Sequence, residues 1–261
     1  MNRLLHLCLS ILMLVLGVAP LQGTQAAPTV IGNTSPKGIS FHVLRVVYPE
    51  SKRNGVTLTA YNETDRPYLM QSRIQSVDLA TGNADMSPAD KKVMPFIVTP
   101  PLARIEPNGE LVLRIRRNGE KLLTDRESVF FVSMKAIPAQ ADPRTRAADS
   151  QQLILTVVSN MKLFYRPDGL NKRALADTDV ASQLRFRREG SQLIADNPTP
   201  YWLTFSRLKV GKTALDKAQL RLMVSPMGEQ HYTLPEGTAG SVSWQLIDED
   251  GWDTPAQQRP L

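Results

Sequence analysis

Few residues of this chain could do chemistry, and their spacing argues against catalysis. Beyond the first apolar run the histidines are His42 and His231. Neither has a second histidine or a carboxylate at ligand spacing, so no metal site is expected. Asp248, Glu249 and Asp250 could be cast as an acid–base group, but consecutive carboxylates in a turn are ordinarily solvated. No nucleophile elbow, phosphate loop or dinucleotide fingerprint occurs. Cys8, the only cysteine, sits in the first apolar run, which leaves the rest of the chain without a thiol, disulfide or cysteine–zinc site. Neither an enzyme nor a cofactor is expected. Two cations are left in apolar surroundings: Arg45 between Leu44 and Val46, and Lys162 between Met161 and Leu163. Taken alone, each reads as an outward-facing strand residue.

The elements that must position these residues read as strands. With 261 residues, 42% apolar and 21% charged, the chain can form a packed core in one large or two ordinary domains. Residues 1–26 read as a cleavable signal peptide: Arg3, then an apolar stretch from Leu7 to Val18, then small residues around Ala26. The apolar stretch is too short for a membrane anchor, and no later one spans a bilayer. The net charge of +6 falls to about +5 without that segment. The basic groups Arg114, Arg116, Arg117 and Arg185, Arg187, Arg188 read as solvated strand faces, and export argues against nucleic acid as a partner.

Short apolar runs follow, separated by turn residues: Ile39 to Val47, Val56 to Tyr61, Tyr68 to Val77, Val93 to Val98, Leu111 to Arg117, Val129 to Ile137 and Leu153 to Phe164. Seven alternating runs with turns such as Pro107-Asn108-Gly109 suggest an immunoglobulin-like sandwich. Arg166-Pro167-Asp168-Gly169 should end the last run, because proline removes a ladder donor. A smaller β-domain begins near Leu184, with runs at Gln192 to Ala195, Tyr201 to Val210, Gln219 to Val224, His231 to Leu234 and Ser241 to Ile247. Asn171 to Ser182 fits either a short helix or a loop. The expected organisation is all-β, with an N-terminal immunoglobulin-like domain over 28–166 and a C-terminal one over 168–261.

Several segments carry a resemblance. Asp125-Arg126-Glu127-Ser128 leads into Val129-Phe130-Phe131 and closes at Ile137-Pro138; Lys162-Leu163-Phe164-Tyr165-Arg166-Pro167 and Asn197-Pro198-Thr199-Pro200-Tyr201 follow. Pro67-Tyr68-Leu69 and Thr99-Pro100-Pro101 add weaker support. In order and spacing they resemble the periplasmic pilus-assembly chaperones of the chaperone/usher pathway. Departures are Leu123 for a usual proline, Ser133 for a usual asparagine, and the altered turn Asp248-Glu249-Asp250-Gly251.

The resemblance implies two sandwiches in a boomerang arrangement. It also implies an exported, non-catalytic protein that completes pilus subunits by donor-strand complementation and passes them to an outer-membrane usher. Such a strand needs a free edge and alternating apolar side chains. Leu153, Leu155 and Val157 supply the alternation, while Ile154, Thr156 and Val158 would then suit burial in the protein's own core. Read without the resemblance, this stretch is an ordinary central strand. The resemblance assigns Arg45 and Lys162 to the subunit's terminal carboxylate, and Glu127, Arg166 and Glu249 to an interdomain ion network. The segment Ala139 to Ser150 looks like the short-loop version of the family. The free protein could self-associate through its exposed strands. A rival reading is a secreted adhesin or carbohydrate-binding module working through exposed aromatics such as Trp202, Trp244 or Trp252, although such residues ordinarily belong to the core.

Overall fold

The computed structural model describes residues 38–87, 93–140 and 155–261. The expected signal segment, Leu153, Ile154 and most of the loop Ala139 to Ser150 lie outside the described residues. Within them the fold is all-β with three one-turn helices, in two sandwich lobes that each carry their own apolar core.

In the N-terminal lobe one sheet runs in the order β1 (Ile39–Ser40), β3 (Val56–Asn62), β9 (Glu110–Arg117), β7 (Phe96–Thr99). The facing sheet runs β2 (Arg45–Pro49), β11 (Val157–Arg166), β10 (Ser128–Pro138), β4 (Tyr68–Gln75), β8 (Leu102–Ile105). A small hairpin joins β5 (Val77–Asp78) to β6 (Asn83–Ala84). Alternation gives each strand one inward face, and Leu58, Leu113, Ile115, Met134 and Leu163 fill the space between the sheets, almost fully buried.

The expected single first strand is two. Its start pairs antiparallel with β3 in one sheet, and its end pairs parallel with β11 in the other. The chain crosses between sheets through Phe41 to Leu44, where Val43 and Leu44 stay exposed. β8 was not anticipated, being short and hidden behind Pro100-Pro101. Leu153 to Phe164 shifts to Val157–Arg166, and the strand does stop before Pro167.

In the C-terminal lobe β12 (Arg185–Glu189), β13 (Gln192–Asn197) and β16 (Gly228–Thr233) form one sheet. β15 (Thr213–Ala214), β14 (Phe205–Val210), β17 (Val242–Leu246) and β18 (Gln257–Arg259) form the other. The stretch with no assigned structure becomes α1 (Ala174–Asp177) and α2 (Val180–Gln183), whose Ala174, Leu175, Val180 and Ala181 pack into the core. The expected strand Gln219 to Val224 does not form: its first two residues end α3 (Lys217–Leu220) and the next ones run on as a turn. Asp216 caps α3 by accepting from the Gln219 N–H at 2.8 Å, and only Val224 bridges to Leu203.

The two lobes meet along β11. Val129 and Phe164 of the first pack with Met223 and the partly buried Trp202 of the second.

Candidate functional site

Parallel pairing of β2 with β11 makes Arg45 and Lys162 direct register neighbours, followed by Val46 with Leu163 and onward to Pro49 with Arg166. Period-two alternation then sorts β11 into two faces. Met161, Leu163 and Tyr165 enter the core, while Lys162, Phe164 and Arg166 point toward the C-terminal lobe.

Lys162 donates from Nζ to Thr204 Oγ1 at 3.2 Å. Arg45 donates from one terminal nitrogen to the Ile247 carbonyl at 2.9 Å and stands over the Phe164 ring at 5.3 Å. Its Nε is buried without a partner. Among the described residues neither cation has an ion pair. Burial, then the Arg45 charge, lowers the Lys162 ammonium to about 7. Burial likewise lowers Arg45 to about 10, against the pull of Glu249, Asp248 and Glu127. An anion delivered here would meet two poorly solvated donors, each bond being worth about 1.5–3 kcal/mol.

One turn of the pleat further on lies a different cluster. Arg166 holds Glu127 through Nε at 2.6 Å and Glu249 through a terminal nitrogen at 2.9 Å, with all three side chains buried. The same guanidinium donates to the Asn171 and Lys172 carbonyls and lies over the Tyr201 ring. Glu127 accepts from the Trp202 N–H at 2.8 Å, and its own N–H donates to the Pro200 carbonyl. Glu249 accepts from the N–H groups of Leu175 and Ala176. Burial pushes the Glu127 carboxyl up, against the attraction of Arg166. Burial also opposes the charge of Arg166, but the two carboxylates outweigh it and raise its pKa. Glu249 is therefore no solvated turn residue. Asp250 does lie in solvent, paired with Arg173 at 2.7 Å.

The strand edge is the third feature. β11 pairs with β10 along its length, but with β2 only from Lys162 onward. Among the described residues, Val157 to Met161 have no partner on that side. Leu155 is 71% exposed and Val157 62%. Both have the parity of the core residues Met161 and Leu163, so they continue the apolar stripe past the end of the protein's own core. The expectation that Thr156 and Val158 turn into the core is overturned. They are exposed and share the face of Lys162. The core ends near Met161, and parity, not hydrophobicity, decides which side chains could enter it.

Thr204 was not foreseen; a threonine after an apolar stretch gives no signal until the lobes are docked. Trp202 follows the Asn197-Pro198-Thr199-Pro200-Tyr201 segment, whose Asn197 is fully buried and bonds the Tyr201 and Ser225 carbonyls. That knot fixes Trp202 over Glu127.

Comparison with known proteins decides the family. Residues 38–171 match the family model described as pili and flagellar-assembly chaperone, PapD N-terminal domain, and residues 179–258 match the PapD C-terminal domain of pili assembly chaperones. This chain belongs to the pilus-assembly chaperone family. It is 33% identical to the chaperone protein FimC of Escherichia coli over 226 residues, covering 86% of this chain and 85% of FimC. It is 35% identical to FimB/FhaD of Bordetella pertussis, covering 82% of this chain and 84% of that one.

Among solved structures, the SafB chaperone of Salmonella enterica, in complex with the SafA pilin, superposes with a TM-score of 0.71 at 29% identity, covering 86% of this chain and 97% of the other. The E. coli chaperone DraB gives 0.69 at 32% identity, covering 86% and 99%. The family is one of assembly chaperones. The adhesin or carbohydrate-binding reading is set aside. Trp244 is buried, Trp202 lies in the cluster between the lobes, and Trp252 alone of the three is exposed.

Proposed function

We propose that this chaperone binds an incomplete pilus subunit by lending it the free edge of β11, with Leu153, Leu155 and Val157 as groove-filling side chains. Arg45 and Lys162 together hold the subunit's terminal carboxylate and set the register. The reading rests on one observation: the edge of β11 becomes unpaired beside two partly buried cations that have no ion pair among the described residues. Burying three such side chains contributes roughly 5–9 kcal/mol before the entropic costs of association. An alternating strand can slip by two residues with little local penalty, so a fixed anchor is needed, and a terminal carboxylate occurs once per subunit.

On this reading Glu127, Arg166 and Glu249 hold the two lobes so that Thr204 and Ile247 close over the anchor. The protein is exported to the periplasm, its first 26 residues being removed, and hands its subunit to an outer-membrane usher. The loop between β10 and β11 is the short version found in its family.

The test is co-expression with a pilus subunit that is degraded when expressed alone. Leu155→Asp should leave the chaperone folded and the subunit degraded, because an exposed site tolerates the charge whereas an apolar groove does not. Unchanged subunit yield with Leu155→Asp and Val157→Asp together would contradict strand donation.

A further inference from the structure

Lys162 is set among groups that give its charge little support. Across the strands it faces Arg45 on β2 and Phe131 on β10, and from the C-terminal lobe its one hydrogen-bond partner among the described residues is the Thr204 hydroxyl. The nearby carboxylates are engaged: Glu127 and Glu249 by Arg166, and Asp248 by the backbone N–H groups of Asp250 and Trp252. The next cations on this sheet face, Arg73 and Lys135, are exposed. Two cations side by side, with a buried Arg45 Nε left over, form a receptor whose own charge is in excess.

We propose that this site takes its carboxylate together with a proton: Lys162 gains one from solvent as the subunit's terminal acid docks, and releases it when the subunit leaves. The step balances as a neutral amine, a proton and a carboxylate giving an ammonium–carboxylate pair, with no covalent bond formed or broken besides N–H. The inference rests on the anchoring role proposed above and adds its coupling to pH.

The direction follows from linkage. In the free chaperone the ammonium titrates at about 7, with Arg45 at about 10 and so charged throughout. A bound carboxylate supplies the missing counter-charge and raises the Lys162 value. Binding therefore takes up protons above neutrality, and affinity falls as pH rises past the free-state value, by about tenfold between pH 6 and pH 8. The periplasm is the compartment proposed above for this protein, and a subunit held this way is gripped hardest under acid conditions.

The experiment uses the full mature chaperone and a synthetic octapeptide of alternating valine and threonine, with a free carboxylate or an amidated end. Calorimetry is run from pH 6 to pH 9 in two buffers of different ionisation heat, and Lys162 is followed by NMR of ε-carbon-labelled lysine. The expected result is carboxylate-dependent binding that weakens about tenfold from pH 6 to 8, with proton uptake near pH 8. The Lys162 signal should titrate near neutrality when free and higher when bound, and Lys162→Arg should bind with a flat profile. Carboxylate-dependent binding with a flat profile and no proton uptake overturns the coupling and leaves the anchor standing. Equal binding of the amidated peptide overturns the anchor and the coupling together.

Discussion

Two charge clusters sit on one strand, four residues apart, in the same cleft, and they are opposites. Around Arg166 the positive charge meets two carboxylates and two carbonyls. Around Lys162 a second cation is the nearest charge, and the ammonium has one hydroxyl partner. Desolvation is common to both. The first cluster is closed on itself and fixes geometry; buried ion pairs of that kind add little net stability, but removing one partner leaves a stranded charge. The second is left open, which is costly in the free protein and informative about ligand. On the function proposed, a partly buried cation with no counter-ion among the described residues is where a ligand binds, and a buried one with its counter-ions in place is a structural joint.

The largest effect should come from breaking the closed cluster. Arg166→Ala strands Glu127 and Glu249 and is expected to cost about 3–5 kcal/mol in chemical denaturation. A loss under 1 kcal/mol would mean that water relieves both carboxylates and that the cluster is not closed.

The open cluster should respond the other way. Lys162→Met removes an unsupported charge, so stability should hold or rise, while carboxylate-dependent binding weakens by about 1.5–3 kcal/mol for the lost charge-assisted bond. A chaperone destabilised by Lys162→Met would make the two clusters alike.

The pH dependence sharpens the point. Because the folded-state value of Lys162 is depressed, the unfolded chain binds more protons between about 7 and the usual lysine range. Stability should therefore rise with pH across that window, and the Lys162→Met variant should lose that rise in thermal melts at pH 7, 8 and 9.

Smaller still is Thr204→Val, which removes the one hydroxyl on the ammonium and should cost about 1 kcal/mol. Just before the start of β11, Leu155→Asp should change stability by less than about 0.5 kcal/mol, since its side chain is largely exposed.

Much of this was legible beforehand, for identifiable reasons. Alternation and turn residues gave most N-terminal strands, and Pro167 gave the stop of β11, because both act through local geometry. The family followed from motifs at fixed spacing. What failed was whatever depends on partners far along the chain. Gln219 to Val224 has the apolar content of a strand, yet the Asp216 cap starts a helical turn that takes up Gln219 and Leu220, and only Val224 pairs, with Leu203. Glu249 in an acidic triplet looks solvated until Arg166 is brought over it.

The amino-acid order alone determined that this is an all-β chain with an apolar, alternating ribbon and two cations in apolar runs. It also placed the proline that ends that ribbon. Tertiary structure decided that the two cations are neighbours, that their counter-ions are withheld by Arg166, and that the ribbon's inward parity outruns its own core. Strand pairing across long sequence separations makes those decisions, because hydrogen-bond register is set by the partner strand and burial by the docked lobe, neither of which a local stretch of sequence contains.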